Sequence, residues 1–240
     1  MVDDFFTFNG RSTKEFGMAV ESYPEQNAPK RRRKAIQIPG RNGDLHIDEE
    51  AFENIDVPYK VWFKGDLPTP EQAHAVKGWL LGGKGYKRLE DKYDPGHFRL
   101  ASFAGPMNIS NILSRYGKCK IVFDCDPRCF RKDGEFPIKL ENAGIIYNPT
   151  EFTTKPLVKV YGNAAGTVTV GNITVEIKSI TTAVALDCEN EHAYALGDVQ
   201  QSLNHTIYAP YFPALHPGEN MVQFDGGITA VEIIPRWWDV

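Results

Sequence analysis

The chain has 240 residues, 42% hydrophobic and 24% charged, with a formal net charge of −4. Its apolar residues are spread along the chain, which excludes wholesale disorder, and it has no global basic field of the kind that draws nucleic acid. No run approaches the ~18 to 20 consecutive apolar residues of a membrane span, and Met1-Val2-Asp3-Asp4 is acidic where a secretory signal is basic, so the chain is expected to stay soluble where it is made.

The length suits two domains of roughly 100 to 130 residues each, with one large β barrel as the alternative. Charge favours two. Residues 1–140 hold 23 Lys and Arg against 20 Asp and Glu, net +3, whereas residues 141–240 hold 4 against 11, net −7. The expected division is 1–137, a linker at 138–150 marked by Gly144 and Pro149, and 151–240.

In chain order, the first strong feature is Lys30-Arg31-Arg32-Arg33-Lys34. With Pro24 and Pro29 before it and Ala35-Ile36-Gln37-Ile38 after, it reads as an extended arm or edge strand kept apart from others by like charge. A nucleic-acid patch and a contact for an acidic protein face are the alternatives. Ile55, Val57, Tyr59, Val61 and Phe63 alternate with mostly polar neighbours, the period of a strand with one buried face. Leu45 and Ile47, Phe98 and Leu100, and Cys119, Ile121 and Phe123 repeat it in shorter pieces. One helix is predicted over about 69–82: Thr69 and Gln72 form a capping-box pair, Pro70 takes the first helical position, Ala73, Val76 and Leu80 share a face, and Gly82-Gly83 stops it.

From residue 151 onward only strands are expected, at 157–161, 167–170, 173–177, 183–188, 192–196, 221–224 and 229–234. Their number and spacing suit a β-sandwich. Gly171-Asn172 is a two-residue hairpin signal, because glycine accepts the positive φ of a II′ turn.

Motifs for chemistry fail on spacing or context. Gly78, Gly83 and Lys84 have the Walker spacing, but Gly85 follows where a hydroxyl is needed, and the glycines close a helix instead of opening one. Cys125 and Cys129 are spaced C-x₃-C, with Cys119 upstream on an apolar strand face and no second knuckle pair, so metal binding is not expected and reduced thiols are. The six histidines are scattered, no G-x-S-x-G elbow exists, and acidic clusters such as Asp48-Glu49-Glu50 read as solvated strand flanks. No cofactor and no enzyme activity are expected. Tyr208, Tyr211 and Phe212 crowd a Pro-rich loop and read as packing or partner-docking aromatics; stacking on sugar rings is the alternative.

The residues also resemble a family, the distal tail proteins of long-tailed, non-contractile bacteriophages. The resemblance runs through Phe8-Asn9-Gly10, Phe16-Gly17, Ile38-Pro39-Gly40-Arg41-Asn42-Gly43-Asp44-Leu45, Trp79-Leu80, Phe123-Asp124-Cys125-Asp126-Pro127, Asn148-Pro149-Thr150, Pro156, Gly162, Phe212-Pro213 and Pro217-Gly218-Glu219-Asn220. Each motif is short; their order over about 230 residues carries the likeness.

The resemblance implies a mainly β, two-domain protein, with a ring-forming first domain that has one α-helix and a galectin-like β-sandwich as the second. It implies a homo-hexamer at the distal end of the virion tail, assembled in the bacterial host cytoplasm. The implied partners are the tail tube protein, the end of the tape measure, the tail-tip hub with its tail-associated lysin, and receptor-binding proteins. No specific nucleic-acid contact and no membrane insertion are implied. The Lys30 to Lys34 run departs from the family pattern. Pro39, Gly40, Arg41, Asn42 and Gly43 are the candidate ring interface: two glycines bracket an Arg and an Asn in a tight turn that fixes a guanidinium. Alternatively, Arg41 braces its own hairpin. The rival function is a lectin-like carbohydrate-binding module.

Overall fold

The computed structural model describes residues 4–22, 24, 27–63, 70–106, 109–112 and 116–240. Among the described residues strands dominate, with one α-helix at Pro70–Leu81. The chain divides into two compact units, residues 1–129 with 240, and residues 130–239.

The first unit is organised by a sheet whose consecutive neighbours are Arg11–Ser12, Phe6–Phe8, Lys87–Asp91, His97–Ser102, Tyr116–Arg131, Ile55–Phe63 and Met18–Ser22. The two alternating segments read from the sequence meet face to face. Cys119 lies opposite Val61, Ile121 opposite Tyr59 and Phe123 opposite Val57, and all six are buried. Directly opposed residues point to the same side of a sheet, so the pairing adds two apolar stripes into one core face.

Against that face lie Phe6, Phe8, Phe16, Phe103 and the helix residues Val76, Trp79 and Leu80. Trp79 stacks on Phe16 with ring centroids 4.6 Å apart. Its indole Nε1 donates to the Phe8 carbonyl at 2.9 Å, which satisfies the polar end of a buried indole. The helix begins at the predicted Pro70, whereas Thr69 lies outside the described residues. It ends where Gly82 N donates to the Gly78 carbonyl at 2.9 Å. A Cβ on Gly82 would stand 2.6 Å from that carbonyl oxygen, so the backbone at the helix end requires glycine there.

Leu45 and Ile47 depart from expectation. They lie in a strand, Leu45–Phe52, but among the described residues it pairs only with Arg31–Ile36, in a separate two-stranded ribbon, and both side chains are exposed. Alternation sets the pleat and not the presence of a covering layer, which this ribbon lacks.

The second unit is a two-layer sandwich. The six-stranded sheet runs Ile138–Leu140, Ile228–Ile234, Leu157–Gly162, Ala183–Asp187, His192–Ala195 and Asp198–Ser202; the five-stranded sheet runs Gly144–Asn148, Gly218–Phe224, Gly166–Val170, Ile173–Ile177 and Ile207–Tyr208. Their inner faces supply one core, including Ile146, Val160, Val168, Val175, Leu186, Val222 and Ile233. The Gly171-Asn172 hairpin is present, with Val170 opposite Ile173 and Gly171 at φ 61°.

The expected linker at 138–150 is a correction. Ile138–Leu140 is an edge strand of one sheet and Gly144–Asn148 an edge strand of the other, so this stretch belongs to the sandwich. Glycine and proline there mark the turn between two sheets and the end of a strand. The segment 130–137 is also tied in: Arg131 N donates to the Trp237 carbonyl at 2.9 Å and Arg236 N to the Gly134 carbonyl at 2.8 Å. Trp237 is buried in the core, and a Cβ on Gly134 would lie 2.4 Å from its backbone nitrogen.

Candidate functional site

The candidate ring residues Pro39, Gly40, Arg41, Asn42 and Gly43 occupy the tip of the exposed arm formed by Arg31–Ile36 and Leu45–Phe52. Arg41 N donates to the Ile38 carbonyl at 3.1 Å and Gly40 has φ 81°. A type II turn requires a positive φ at its third position, which Gly40 supplies, and favours a proline at its second, here Pro39. Gly43 at φ 78° adds a second left-handed position. The backbone that carries Arg41 is therefore tightly turned, while its guanidinium makes no hydrogen bond or ion pair among the described residues.

The basic run is answered across the ribbon. Lys30 pairs with Glu53 at 3.0 Å, Arg31 with Asp48 at 3.4 Å and Lys34 with Glu49 at 3.8 Å, and the Arg31 guanidinium lies 4.7 Å from the Phe52 ring centre. Residues 30–53 carry six Lys and Arg against five Asp and Glu, so the arm as a whole is close to neutral. Arg32, Arg33 and Arg41 retain unpaired charge among the described residues.

Register adds an apolar element. Ile36 lies opposite Leu45 and Lys34 opposite Ile47, so Ile36, Leu45 and Ile47 share one face, with Ile38 in phase. These four side chains are 37 to 46% exposed. Exposed ion pairs contribute about 0 to 1 kcal/mol each, and an isolated two-stranded ribbon is marginal in water. An arm of this kind gains most by laying its apolar face on another surface. The alternation of Ile36, Ile38, Leu45 and Ile47 was visible in the sequence; that it borders no core was not.

The second set of candidates divides. Tyr208 and Tyr211 are 58% and 75% exposed, whereas Phe212 packs against the sandwich core. Lys178 Nζ lies 5.7 Å from the Tyr208 ring centre.

One charged cluster escaped the sequence reading. Arg236 Nη1 donates to Asp187 Oδ1 at 2.7 Å, and Asn190 Nδ2 donates to Asp187 Oδ2 at 2.8 Å. Burial alone raises the Asp187 carboxyl, but the hydrogen bonds from Arg236 and Asn190, with the Arg236 charge, outweigh it and hold the group below its ordinary range. Asp187 and Arg236 are 49 residues apart, so no local signal joins them.

In the first unit, a small cavity of about 60 Å³ is lined by Tyr59, Asp91, His97 and Arg99, among others. Tyr59 donates to Asp91 at 2.7 Å; burial first, then the Asp91 charge, raises its phenol far above the ordinary value. The Cys119 thiol is pushed up to about 11 and those of Cys125 and Cys188 to about 12, mainly by burial, which leaves them as protonated core groups. Among the described residues no three His, Cys, Asp or Glu side chains converge as a metal site, and no helix is long and apolar enough to cross a membrane.

Neither a family model nor a curated relative matches the sequence. The fold does have a match among solved structures. The chain is similar to the SPP1 Dit protein (gp 19.1), described as a paradigm of the hub adsorption apparatus in phages that infect Gram-positive bacteria, with a TM-score of 0.75 and 11% identity. The similarity covers 99% of this chain and 99% of that one, so both units have their counterpart within a single fold.

Proposed function

We propose that this protein is a structural component of a bacteriophage tail, the distal hub of its adsorption apparatus. The observation that carries the reading is the fold likeness to the SPP1 Dit protein over 99% of both chains, which leaves little of either molecule unmatched. Fold alone does not determine function. Support also comes from the arm, whose exposed apolar face and tightly turned Arg41 suit a contact with another copy.

In this reading six copies close into a ring at the distal end of the virion tail. Each copy uses two different patches, because head-to-tail contacts generate rings when the rotation closes. The ring joins the tail tube and the end of the tape measure to the tail-tip hub with its tail-associated lysin, and anchors receptor-binding proteins. The protein performs no catalysis; it is assembled in the host cytoplasm.

Light scattering across a concentration series, followed by negative-stain imaging, tests the ring. The expected result is a closed six-fold particle that grows in population with concentration or on addition of tail partners. A protein that stays monomeric both with and without those partners would overturn it.

A further inference from the structure

We infer that the edge strand Gly144–Asn148 is a second docking surface, separate from the arm, which takes an extended, basic-flanked segment of a different protein as an added strand. Among the described residues the strand pairs on one side only, with Gly218–Phe224. Its other side therefore offers a row of backbone donors and acceptors. Natural sheets guard such edges with charge, proline, bulges or brevity. The sandwich's other edges follow that rule: Ile138–Leu140 carries Lys139, Asp198–Ser202 carries Asp198, and Ile207–Tyr208 has two residues. Gly144-Ile145-Ile146-Tyr147-Asn148 has five residues and no charge.

The outer face beside this edge is apolar as well. Ile145 is 55% exposed, Tyr147 65% and Met221 48%. Met221 lies opposite Ile145, and Glu219 opposite Tyr147, so all four point outward together. An added strand gains main-chain hydrogen bonds at the edge, and side chains at alternate positions pack beside Ile145 and Tyr147.

Charge decides against a second copy as the occupant. Glu141 and Glu151 flank the strand and both are exposed, so a second copy laid antiparallel along this edge about Ile146 brings acidic flanks together at both ends. Like charges brought together across a strand pair are destabilising. Residues 130–239 hold 7 Lys and Arg against 13 Asp and Glu, so the surroundings are acidic too. The segment that fits has apolar residues two apart at its centre and Lys or Arg near each end.

The test uses the full chain and the synthetic peptide Lys-Ser-Thr-Thr-Val-Thr-Val-Thr-Thr-Ser-Lys, whose valines align with Ile145 and Tyr147 when its ends align with Glu141 and Glu151. Hydrogen exchange read by mass spectrometry should show saturable protection of residues 144–148. The Ile145 and Tyr147 backbone groups face the free edge, so the same peptide with proline for both its central threonine and the valine before it, which removes a ladder N–H whichever way the peptide runs, should give none, and Tyr147→Lys should weaken binding at least about tenfold. No protection by the peptide, or equal protection by the proline peptide, would overturn the inference. Protection of 144–148 that rises with protein concentration in the absence of peptide would assign the edge to a second copy and overturn it as well. Neither result bears on ring closure, which the scattering experiment reads separately.

Discussion

Arg236 reaches Asp187 with Nη1 2.7 Å from Oδ1, from a backbone held at φ 58°, a left-handed conformation that a non-glycine residue seldom adopts. The surrounding bonds explain how the conformation persists: Arg236 N donates to Gly134 O, and Thr154 Oγ1 donates to the preceding Pro235 carbonyl at 3.0 Å. The ion pair, these hydrogen bonds and the buried Trp237 together lock the last segment of the chain to the sandwich and hold the strained backbone in place.

Removing the guanidinium should cost the sandwich about 2 kcal/mol, in the range of a hydrogen bond to a charged group. Arg236→Gly should lose less than Arg236→Ala, by about 1 kcal/mol, since glycine adopts φ 58° without penalty. Equal thermal shifts for the two variants would show that backbone strain contributes nothing.

The same pair predicts an acid dependence. The Asp187 carboxyl is lowered in the folded state from its ordinary 3.8, so its contribution is complete above that value and is lost as pH falls through the folded value. Thermal melts from neutral pH down to about pH 2 should show a steeper acid loss for the native chain than for Asp187→Asn. Parallel curves would refute the assignment.

Arg41→Ala should leave a folded protein that assembles poorly. Truncating one partner of a buried charge pair costs roughly 2 to 5 kcal/mol, and the loss falls on each ring contact. Because the Arg41 side chain has no partner among the described residues, the monomer's melting temperature should not move. A lowered melting temperature with normal assembly would instead make Arg41 a brace for the arm.

Boundaries can be read from fragments. Residues 130–240 expressed alone should unfold cooperatively, whereas residues 145–240 should melt lower, having lost Ile138–Leu140 and the bonds from Arg131 and Gly134 to the last segment. Equal stability of the two would restore the stretch at 138–150 to the status of a linker.

Exposed Tyr208 and Tyr211 set the lectin reading against the hub reading. A glycan array should show no binding that disappears on Tyr208→Ala or Tyr211→Ala. Micromolar binding lost in either variant would favour a carbohydrate-binding module.

Local pattern explains why much of this fold was readable. The helix carries its own start at Pro70 and its own stop at Gly82, and the Gly171-Asn172 hairpin needs only one positive-φ residue. The strand Ile55–Phe63 alternates over its whole length. Gly144–Asn148 was missed for the opposite reason: it is short, it begins with a glycine, and a proline follows it, so turn signals outweighed its two outward and two inward apolar and polar positions.

By itself the sequence determined the strand-rich character of the chain, its one helix, the tight turn around Arg41 and the lack of a local catalytic motif. These depend on backbone preferences and on residues within a few positions of one another. Tertiary structure decided which alternating faces are covered: Ile55–Phe63 meets a core, while Ile36, Leu45 and Ile47 stand exposed on an arm. It also brought Arg236 to Asp187 and left Gly144–Asn148 at a sheet edge. Periodicity records which side chains share a face, but only the packing of distant segments determines what lies against that face, because burial is a property of the neighbours and not of the strand.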